Sequence, residues 1–332
     1  MVKNEKNICI IGKGSIGIRH GQIFKSLGYN IFFYREKRKR SKVKINFQYK
    51  EIFKLKDIKN KKFILFVIAN PSSKHVKTLI KIIFKNLNVL VEKPLASTNL
   101  DLDKMKKLYE KFKINLFPGY QLRFDPRIKI MKKIIKKKQK KLRYANFHLK
   151  TFLPDWHPWE DFRDSYASQK KLGGGVLLTC SHEIDLAINF FGEAQSVFCV
   201  KTNSRLKTNN VENSIILIIK HKKNGVISNI NLDYSYKNKE DRFIEIIFED
   251  EEIKCNLHKK NLLIQKNYIS KTIKPKLSVN RNSIFKRQNL DILKKIKNKK
   301  YKSPAFKAIS QAEKIIFAAK KSILSKKFEH VN

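Results

Sequence analysis

A glycine-rich turn near the beginning of the chain constrains its fold more than any other feature. The turn follows an apolar segment at 7–11 and opens an amphipathic segment at 15–27, and it consists of Gly12, Lys13, Gly14, Ser15, Ile16 and Gly17. In a strand–turn–helix with this spacing, the first glycine permits a tight turn, the second lets a pyrophosphate approach the backbone, and the third lets helix and strand pack closely. Only 11 of the 332 residues are glycine, so composition does not account for three within six positions. The pattern predicts a dinucleotide-binding loop, with a turn that binds nothing or a site for S-adenosylmethionine as alternatives.

The first third of the chain alternates short apolar segments with helix-length segments. The strand candidates are 7–11, 30–34, 62–68, 88–91 and 114–117, and the helix candidates are 15–27, 72–85 and 100–113. Nearly continuous apolar strands separated by amphipathic helices indicate a parallel sheet that is covered on both faces. The basic, pattern-poor stretch 35–50 is predicted to be a solvated loop. This part of the chain is therefore predicted to be an α/β Rossmann domain.

The pattern changes near residue 125, where strands begin to follow one another directly. Helix candidates at 126–138 and 176–191 flank a strand at 142–151, and alternating strands then run between 196 and 257. Ser303 and Pro304 supply an N-cap and a first-turn proline for a final helix to about residue 325. We predict an α+β domain with an open, mostly antiparallel sheet. A length of 332 residues favours two domains, 1–122 and 123–332, with a C-terminal helix that can pack back on the first.

The choice of nicotinamide cofactor depends on the residue at the end of the second strand. An acidic residue at this point would accept hydrogen bonds from the ribose hydroxyls of NAD. The chain has Arg35 before Glu36, with Arg38 and Arg40 beyond. A guanidinium facing a 2′-phosphate favours NADP, whereas contact of Glu36 with the ribose would favour NAD. The expected cofactor is NAD or NADP, with NADP favoured.

A Glu-Lys-Pro turn follows the fourth strand candidate. Ligands of open α/β sheets bind outside the carboxyl ends of the strands, so Glu92, Lys93 and Pro94 are placed for chemistry. A lysine here could hydrogen-bond a substrate hydroxyl, and burial beside a cationic neighbour could lower its pKa. The alternative is a solvated surface amine. One strand earlier, Asn70 and Pro71 occupy the corresponding place.

Taken in order, these motifs resemble the Gfo/Idh/MocA family (glucose-fructose oxidoreductase, inositol dehydrogenase and rhizopine catabolism). The resemblance extends to a segment at 119–126 that includes Arg123, and to a glycine triplet at 173–175 followed by His182 and Asp185. It implies NAD(P)-linked oxidation or reduction of a sugar or polyol, and an open second sheet that supports homo-oligomers. The residues expected to bind the cofactor are Gly12, Gly14, Ser15, Ile16, Gly17, Arg35, Asn70, Pro71, His75, Glu92 and Lys93. For His75, a capping or surface role is the alternative.

The second-domain motif supplies a candidate acid–base residue. On the predicted helix 176–191, His182 shares a face with Thr179 and Asp185. An imidazole can take a hydroxyl proton while hydride leaves the same carbon, and Asp185 could hold its tautomer. The predicted catalytic residues are Lys93 and His182, with Arg123, Thr179 and Asp185 assigned to substrate binding. Family members often carry Asp where this chain has Thr179, which cannot act as a base, so a non-catalytic cofactor or sugar sensor is the alternative function.

Both tryptophans of the chain lie in one segment between the first second-domain strand and the glycine triplet. Trp156, Trp159 and Arg163 are interleaved with carboxylates at 155–163. Indole faces stack on sugars, carboxylates bind hydroxyls, and an arginine binds phosphate or carboxylate. The segment resembles those of family members from surface-polysaccharide and nucleotide-sugar pathways, so a sugar or nucleotide sugar is the expected substrate. Alternatively, the indoles fasten a long loop to the core.

The formal net charge of +46 suggests nucleic acid or a membrane as a partner. However, 62 of the 74 basic residues are lysine, and the lysine runs lack the interleaved arginine and aromatic residues of nucleic-acid sites. We predict solvated helix faces and no specific nucleic-acid binding. The basic field could still attract an anionic substrate.

The remaining composition places the chain among cytoplasmic globular proteins. The longest apolar run, 63–69, is far shorter than the roughly 18 residues of a membrane span, and no signal peptide is recognisable at the beginning of the sequence. The four cysteines are widely spaced and contain no CxxC pair, as expected of buried thiols in a reducing compartment. No metal site is expected.

Overall fold

The structure is a computed structural model that describes residues 6–35, 45–223 and 225–331. The described chain divides into two compact units. The first contains the residues up to Gln121 together with Asn280–Ser310, and the second contains Leu122–Val279 together with the residues from Gln311 onward. The sequence-based division at residue 122 put Asn280–Ser310 with the second unit, whereas these residues pack in the first.

The first unit is built on a parallel six-stranded sheet in the order β3-β2-β1-β4-β5-β6. Its strands are β1 (Asn7–Ile11), β2 (Asn30–Tyr34), β3 (Lys50–Ile52), β4 (Leu65–Ile68), β5 (Asn88–Glu92) and β6 (Asn115–Gly119). The central strands are buried along nearly their whole length, which explains their unbroken apolar sequences. This strand order and all-parallel pairing are those of a Rossmann fold, as predicted.

The helices of this part follow the strands as crossovers. They are α1 (Ser15–Ser26), α2 (Leu55–Lys59), α3 (His75–Ile82) and α4 (Asn99–Phe112). α3 is shorter than the helix predicted at 72–85, because Ser72–Lys74 form a 3-10 turn and Ile83 is extended. Thr98 caps α4 by accepting a hydrogen bond from the Asp101 amide at 3.1 Å.

The second unit contains a nine-stranded sheet in the order β14-β13-β12-β11-β7-β10-β9-β8-β15. Its strands are β7 (Leu142–Lys150), β8 (Ala194–Lys201), β9 (Ser214–His221), β10 (Ile227–Asp233), β11 (Asp241–Phe248), β12 (Glu251–Asn256), β13 (Leu262–Lys266), β14 (Ile269–Ile273) and β15 (Glu329–His330). Among the described strands of this second sheet, only β7 and β10 pair in parallel, so the predicted open, mostly antiparallel sheet is confirmed.

Three helices of the second unit precede or follow β7. They are α5 (Pro126–Lys137), α6 (Val176–Thr179) and α7 (His182–Phe191). The single helix predicted at 176–191 is wrong, because Cys180 and Ser181 form a turn that ends α6 before α7 begins. His182 is consequently the first residue of a helix and not a residue in the middle of one.

The C-terminal helices divide between the two units. They are α8 (Arg281–Lys297), α9 (Phe306–Ile309) and α10 (Gln311–Ser325), of which α8 and α9 belong to the first unit and α10 to the second. Ile292 and Leu293 of α8 join the apolar core that contains Ile8, Phe24 and Phe33, which explains why α8 packs there. The predicted helix start at Ser303 and Pro304 is wrong, since helix begins only at Phe306 and is interrupted at Ser310.

In the part of the chain that the structure describes, no helix combines the length and the apolar character that a bilayer crossing requires. All four cysteines are buried and form no disulfide. Burial raises the pKa of the Cys199 and Cys255 thiols to about 12, so both are protonated at neutral pH.

Candidate functional site

The three glycines of the loop after β1 are required for different structural reasons. Gly12 has φ +108, and a Cβ there would lie 2.5 Å from the Ala69 carbonyl oxygen. A Cβ at Gly17 would lie 2.0 Å from the Gly12 oxygen, so helix α1 could not approach the loop. Gly14, by contrast, has φ −87, and a Cβ there would meet no described atom within 4 Å. The fold itself thus explains Gly12 and Gly17, while the open space over Gly14 is the cradle that a pyrophosphate would fill.

The N-terminus of α1 opens at this loop. Gly14 is its N-cap residue and provides no side-chain cap, and the first turn contains no acidic residue. The first backbone N–H groups of a helix have no partner within the helix and carry a partial positive charge. Ser15, Ile16 and Gly17 occupy this first turn, and their position fits a bound phosphate anion.

Two cations and one carboxylate meet at the ends of β1, β2 and β3. Glu51 Oε1 accepts hydrogen bonds from Lys13 Nζ at 2.8 Å and from Arg35 Nη1 at 3.0 Å. Lys13 Nζ also donates to the Tyr49 hydroxyl at 2.9 Å. Burial would raise the pKa of Glu51, but the hydrogen bonds from Lys13 and Arg35 outweigh burial and lower it.

Sequence reasoning identified Arg35 in this cluster but missed Lys13 and Glu51. Glu51 follows a stretch predicted as a loop, and only the pairing of Phe33 with Glu51 in the β2–β3 register brings it beside Arg35. The other residues weighed for cofactor choice, Glu36, Arg38 and Arg40, lie outside the described residues.

His75 joins the loops that follow β4 and β5. Its Nε2 lies 2.8 Å from the Asn70 carbonyl oxygen, and its Nδ1 lies 2.9 Å from the Pro94 carbonyl oxygen. The ring is buried, and desolvation lowers its pKa against the opposing effect of the two carbonyls. His75 therefore lies between Asn70 and the Glu-Lys-Pro turn, and as a neutral imidazole it donates to one of the two carbonyl oxygens.

Asn70 presents an unused acceptor next to this contact. Its Nδ2 donates to Thr78 Oγ1 at 2.8 Å, whereas its buried Oδ1 has no hydrogen-bond partner among the described residues. A buried acceptor without a partner costs free energy, so this atom is a suitable acceptor for a donor on a bound cofactor.

The Glu-Lys-Pro turn is anchored through its glutamate. Glu92 ends β5 and is buried, and its Oε1 lies 2.8 Å from His20 Nε2 of α1. A Cβ on Gly119 of β6 would lie 2.9 Å from this carboxylate, so glycine makes room for it. Lys93 follows, half-buried, and its peptide bond to Pro94 is cis. Lys93 is thus attached to a turn that two buried histidines, His20 and His75, fix in place.

In the second unit, Asp185 is engaged by an arginine. Arg123 donates from Nε to Oδ2 at 2.8 Å and from Nη2 to Oδ1 at 2.6 Å, while Asp185 is buried. Burial raises the pKa of Asp185, and the bidentate guanidinium opposes that rise. Both carboxylate oxygens of Asp185 therefore accept from Arg123, a partner that the sequence analysis did not identify.

His182 and Thr179 are both buried. Thr179 Oγ1 donates to the Gly175 carbonyl at 2.6 Å, so its hydroxyl proton is used within the helix that carries it. The N-terminus of α6 is in turn covered by Glu212, whose backbone oxygen accepts from the Val176 amide at 2.9 Å.

The tryptophan segment divides into a fixed part and an exposed part. Trp156 donates from Nε1 to Thr151 Oγ1 at 2.8 Å and packs edge-on against Tyr234, as expected of a residue that fastens the loop. Trp159 is 61% exposed. Arg163 is exposed and donates to Asp161 from Nε and Nη2.

The structure brings together part of the predicted site in each unit. The glycine loop, Arg35, Asn70 and Lys93 lie at the carboxyl edge of the first sheet, after β1, β2, β4 and β5 respectively. Arg123 and Asp185 are paired in the second. In the ranges 6–35, 45–223 and 225–331, no three His, Cys, Asp or Glu side chains are grouped so that they could hold a metal ion.

Two family models match the chain. Residues 6–120 match the oxidoreductase family with an NAD-binding Rossmann fold, and residues 141–254 match the GFO/IDH/MocA C-terminal domain. A curated relative, the rhizopine catabolism protein MocA of Rhizobium meliloti, is 27% identical over 137 residues. That match spans 41% of this chain and 41% of the relative, less than half of its length.

Solved structures show the same fold over nearly the whole chain. Levoglucosan dehydrogenase in complex with NADH and levoglucosan superposes with a TM-score of 0.84 at 17% identity, covering 98% of this chain and 99% of that one. An NAD binding oxidoreductase from Klebsiella pneumoniae gives 0.81 at 14% identity, with coverage of 98% and 99%. GenD2 from gentamicin A biosynthesis, in complex with NAD, gives 0.78 at 15% identity, with coverage of 98% and 96%.

The two matched models, in the order and positions of the two sheets, confirm both the predicted fold class and the predicted family. The chain belongs to the Gfo/Idh/MocA family of oxidoreductases and carries both its NAD-binding Rossmann domain and its C-terminal domain.

Proposed function

We propose that this chain is an NAD(P)-dependent dehydrogenase or reductase that transfers hydride between nicotinamide and a hydroxyl or keto carbon of a sugar or nucleotide sugar. The observation that carries this proposal is the open space at Gly14, where an added Cβ would have no described protein atom within 4 Å. Open space above a glycine at a helix N-terminus suits a bound diphosphate, and this favours a ligand-binding loop over a turn that binds nothing.

The cofactor would be held at the carboxyl edge of the first sheet. The glycine loop would bind the diphosphate through backbone amides, and Asn70 Oδ1 would accept a hydrogen bond. Arg35 and Lys13, both at the ends of strands that border the adenosine ribose in Rossmann folds, favour NADP over NAD. Arg35→Asp should weaken NADPH binding far more than NADH binding, and equal effects on both would contradict the preference.

Lys93 would act on the substrate oxygen. Bound nicotinamide supplies or accepts the hydride, and an ammonium group beside the reacting carbon polarises its oxygen by hydrogen bonding. The turn that carries Lys93 is held by the contacts of His20 with Glu92 and of His75 with Pro94. Such anchoring limits the positions that the amine can take, as efficient catalysis requires.

His182 would exchange the hydroxyl proton. Neutral imidazole is a suitable base and imidazolium a suitable acid near neutral pH, which serves both directions of the reaction. Asp185 is committed to Arg123, so we assign that pair to substrate binding through the outward part of the guanidinium. Thr179, whose hydroxyl donates to the Gly175 carbonyl, contributes no acid–base chemistry.

The substrate class is supported by the tryptophan segment and by the charge of the chain. Trp159 offers an exposed indole face to a sugar, Arg163 adds a cation, and the net charge of +46 would accelerate the arrival of a nucleotide sugar. A levoglucosan dehydrogenase shares the fold, and its complex contains a sugar. We propose a role in surface-carbohydrate synthesis in the cytoplasm.

A homo-oligomer would form through the open face of the second sheet. Tyr144, Ile216 and Ile227 are partly exposed apolar residues on three neighbouring strands of this sheet and line one concave surface together with polar residues. Light scattering on the purified chain measures the assembly directly, and a monomer at micromolar concentration would contradict this part of the proposal.

The test of the function has two stages. NADH and NADPH are titrated first by nicotinamide fluorescence, and nucleotide sugars and free sugars are then screened for a change in nicotinamide absorbance. Lys93→Met should abolish turnover and leave cofactor affinity nearly intact, while Lys85→Met, an exposed lysine of the same unit, serves as the control. Retained turnover in Lys93→Met would contradict the assigned role.

A second function fits the presence of Thr179 at a position where members of the family often carry Asp. If cofactor binds but no sugar in the screen is turned over, the chain acts as a non-catalytic cofactor or sugar sensor. Sugar binding in calorimetry without absorbance change would support this second function.

A further inference from the structure

Glu51 lies at the edge of the first sheet where the cofactor is proposed to bind, but on a different strand from the usual ribose-binding residue. It lies on β3, one strand beyond the residue that normally contacts the adenosine ribose, and its register partner in β2 is Phe33. The Arg35 amide donates to the Ile52 carbonyl at 3.0 Å, so the chain after β2 is attached to the strand that carries Glu51.

One carboxylate oxygen accepts from both cations of the cluster. Lys13 Nζ and Arg35 Nη1 lie 2.8 Å and 3.0 Å from the same Glu51 Oε1. The three side chains are 10%, 15% and 25% exposed for Lys13, Arg35 and Glu51, which weakens screening by water. An anion that binds to the two cations must therefore come close to a carboxylate within hydrogen-bond distance of both.

The second oxygen of Glu51 is not used by Lys13 or Arg35. Oε2 accepts no hydrogen bond from the described residues, and a carboxylate oxygen accepts well from a ribose hydroxyl. Lys13 is fixed by its hydrogen bond to Tyr49 and lies 4.5 Å from the centre of that ring, so the cluster is organised before any ligand arrives. Hydrogen bonds from the two cations lower the pKa of Glu51 despite its burial, which keeps the carboxylate ionised at neutral pH.

We propose that Glu51 sets the ratio of NADP to NAD affinity in this chain: its charge weakens the attraction of Lys13 and Arg35 for a 2′-phosphate, and its Oε2 accepts from the 2′-hydroxyl of NAD. The cluster of Lys13, Arg35 and Glu51 carries a net charge of +1, which leaves both cofactors usable. This inference depends on the proposed function, because it assumes a nicotinamide dinucleotide at the glycine loop.

The test is a direct binding titration of the full chain with NADPH and with NADH, followed by nicotinamide fluorescence. Glu51→Gln keeps the shape of the side chain and removes its charge. We expect NADPH to bind about tenfold more tightly, from the loss of repulsion at a distance of several ångströms. NADH affinity should be unchanged or lower by a few-fold. Asp57→Asn in α2 changes the net charge equally but is not a partner of Lys13 or Arg35, and it should leave the NADPH-to-NADH ratio unchanged.

A second variant acts in the opposite direction. Lys13→Gln should weaken NADPH about tenfold or more and leave NADH within a few-fold of the wild type. Thermal unfolding shows whether Glu51→Gln folds. If it does not fold, Lys13→Gln still tests whether the cluster controls the ratio of NADPH to NADH affinity. An unchanged ratio in both variants, or equal loss of both cofactors in Glu51→Gln, would overturn the role of Glu51. Absence of any binding to the wild type would instead overturn the proposed function.

Discussion

The buried imidazole of His20 and the buried carboxylate of Glu92 are joined at 2.8 Å between Nε2 and Oε1, although 72 positions separate them in the sequence. This contact links helix α1, which begins at the glycine loop, to the turn that carries Lys93. The ring of Phe285 lies edge-on to His20, with the ring centres 5.2 Å apart, and keeps the imidazole in place. The loop and the turn are therefore held in one rigid arrangement within the first unit.

Breaking this pair from either side should have unequal effects on stability. His20→Leu takes the main partner from a buried carboxylate and should lower the free energy of unfolding by about 1–3 kcal/mol. Glu92→Gln keeps an oxygen that can accept from the imidazole and removes the buried charge, so its cost should be smaller. Urea unfolding of both variants at neutral pH measures the difference, and a larger loss in Glu92→Gln would contradict the contact as described.

The glycine loop gives a second comparison, between two alanine variants three residues apart. Gly14→Ala should fold with the stability of the wild type, because the added Cβ would meet no atom of the described residues within 4 Å and φ is −87. We expect cofactor affinity to fall at least tenfold, since the methyl group would occupy the space assigned to the diphosphate.

Gly17→Ala should behave in the opposite way. Its Cβ would lie 2.0 Å from the Gly12 oxygen, a backbone atom that cannot move away, and overpacking of this kind costs about 1–3 kcal/mol or more. Thermal unfolding and nicotinamide titration are measured on both variants. Unchanged cofactor affinity in Gly14→Ala would show that the diphosphate does not occupy the open space at Gly14.

The ion pair of Arg123 and Asp185 predicts a third difference. Arg123→Ala leaves a buried carboxylate without its bidentate partner, and we expect a loss of about 1–3 kcal/mol, reduced because the Arg123 side chain is 39% exposed. Asp185→Asn retains hydrogen-bonding capacity and leaves a partly exposed cation that water can solvate, so it should cost less. Denaturant unfolding of the two single variants and of the double variant gives the coupling energy, and zero coupling would show that the pair does not contribute to stability.

The sequence was sufficient where local pattern determines structure. The bounds of β1 and β2 agree with the strands predicted at 7–11 and 30–34, because strands buried on both faces are unbroken apolar runs. The glycine loop could also be recognised, since its spacing reflects backbone contacts within a few residues.

The sequence was insufficient where partners are distant or where a pattern is interrupted. Asp185 stands three residues after His182, as a helical partner would, yet Arg123 binds it across 62 positions. The turn at Cys180 and Ser181 has apolar and small residues that continue the pattern of a helix. Glu51 shows no motif at all, because its role depends on strand register and not on its neighbours in sequence.

The buried His221 is expected to make the second unit less stable in acid. His221 is the last residue of β9 and is buried, with Nδ1 3.0 Å from the Gly192 oxygen after α7 and Nε2 2.9 Å from Ser228 Oγ of β10. Burial lowers its pKa from 6.5 to about 4. The folded state therefore keeps this ring neutral between pH 6.5 and 4, while the unfolded chain takes up a proton, and stability falls as the pH falls through that window. The largest contribution is about 3 kcal/mol, at 1.36 kcal/mol for each unit of pKa difference.

In His221→Gln the loss of unfolding free energy between pH 7 and pH 4.5, measured by urea titration, should be smaller than in the wild type by about that order. An equal loss in both proteins would show that other groups carry the acid sensitivity.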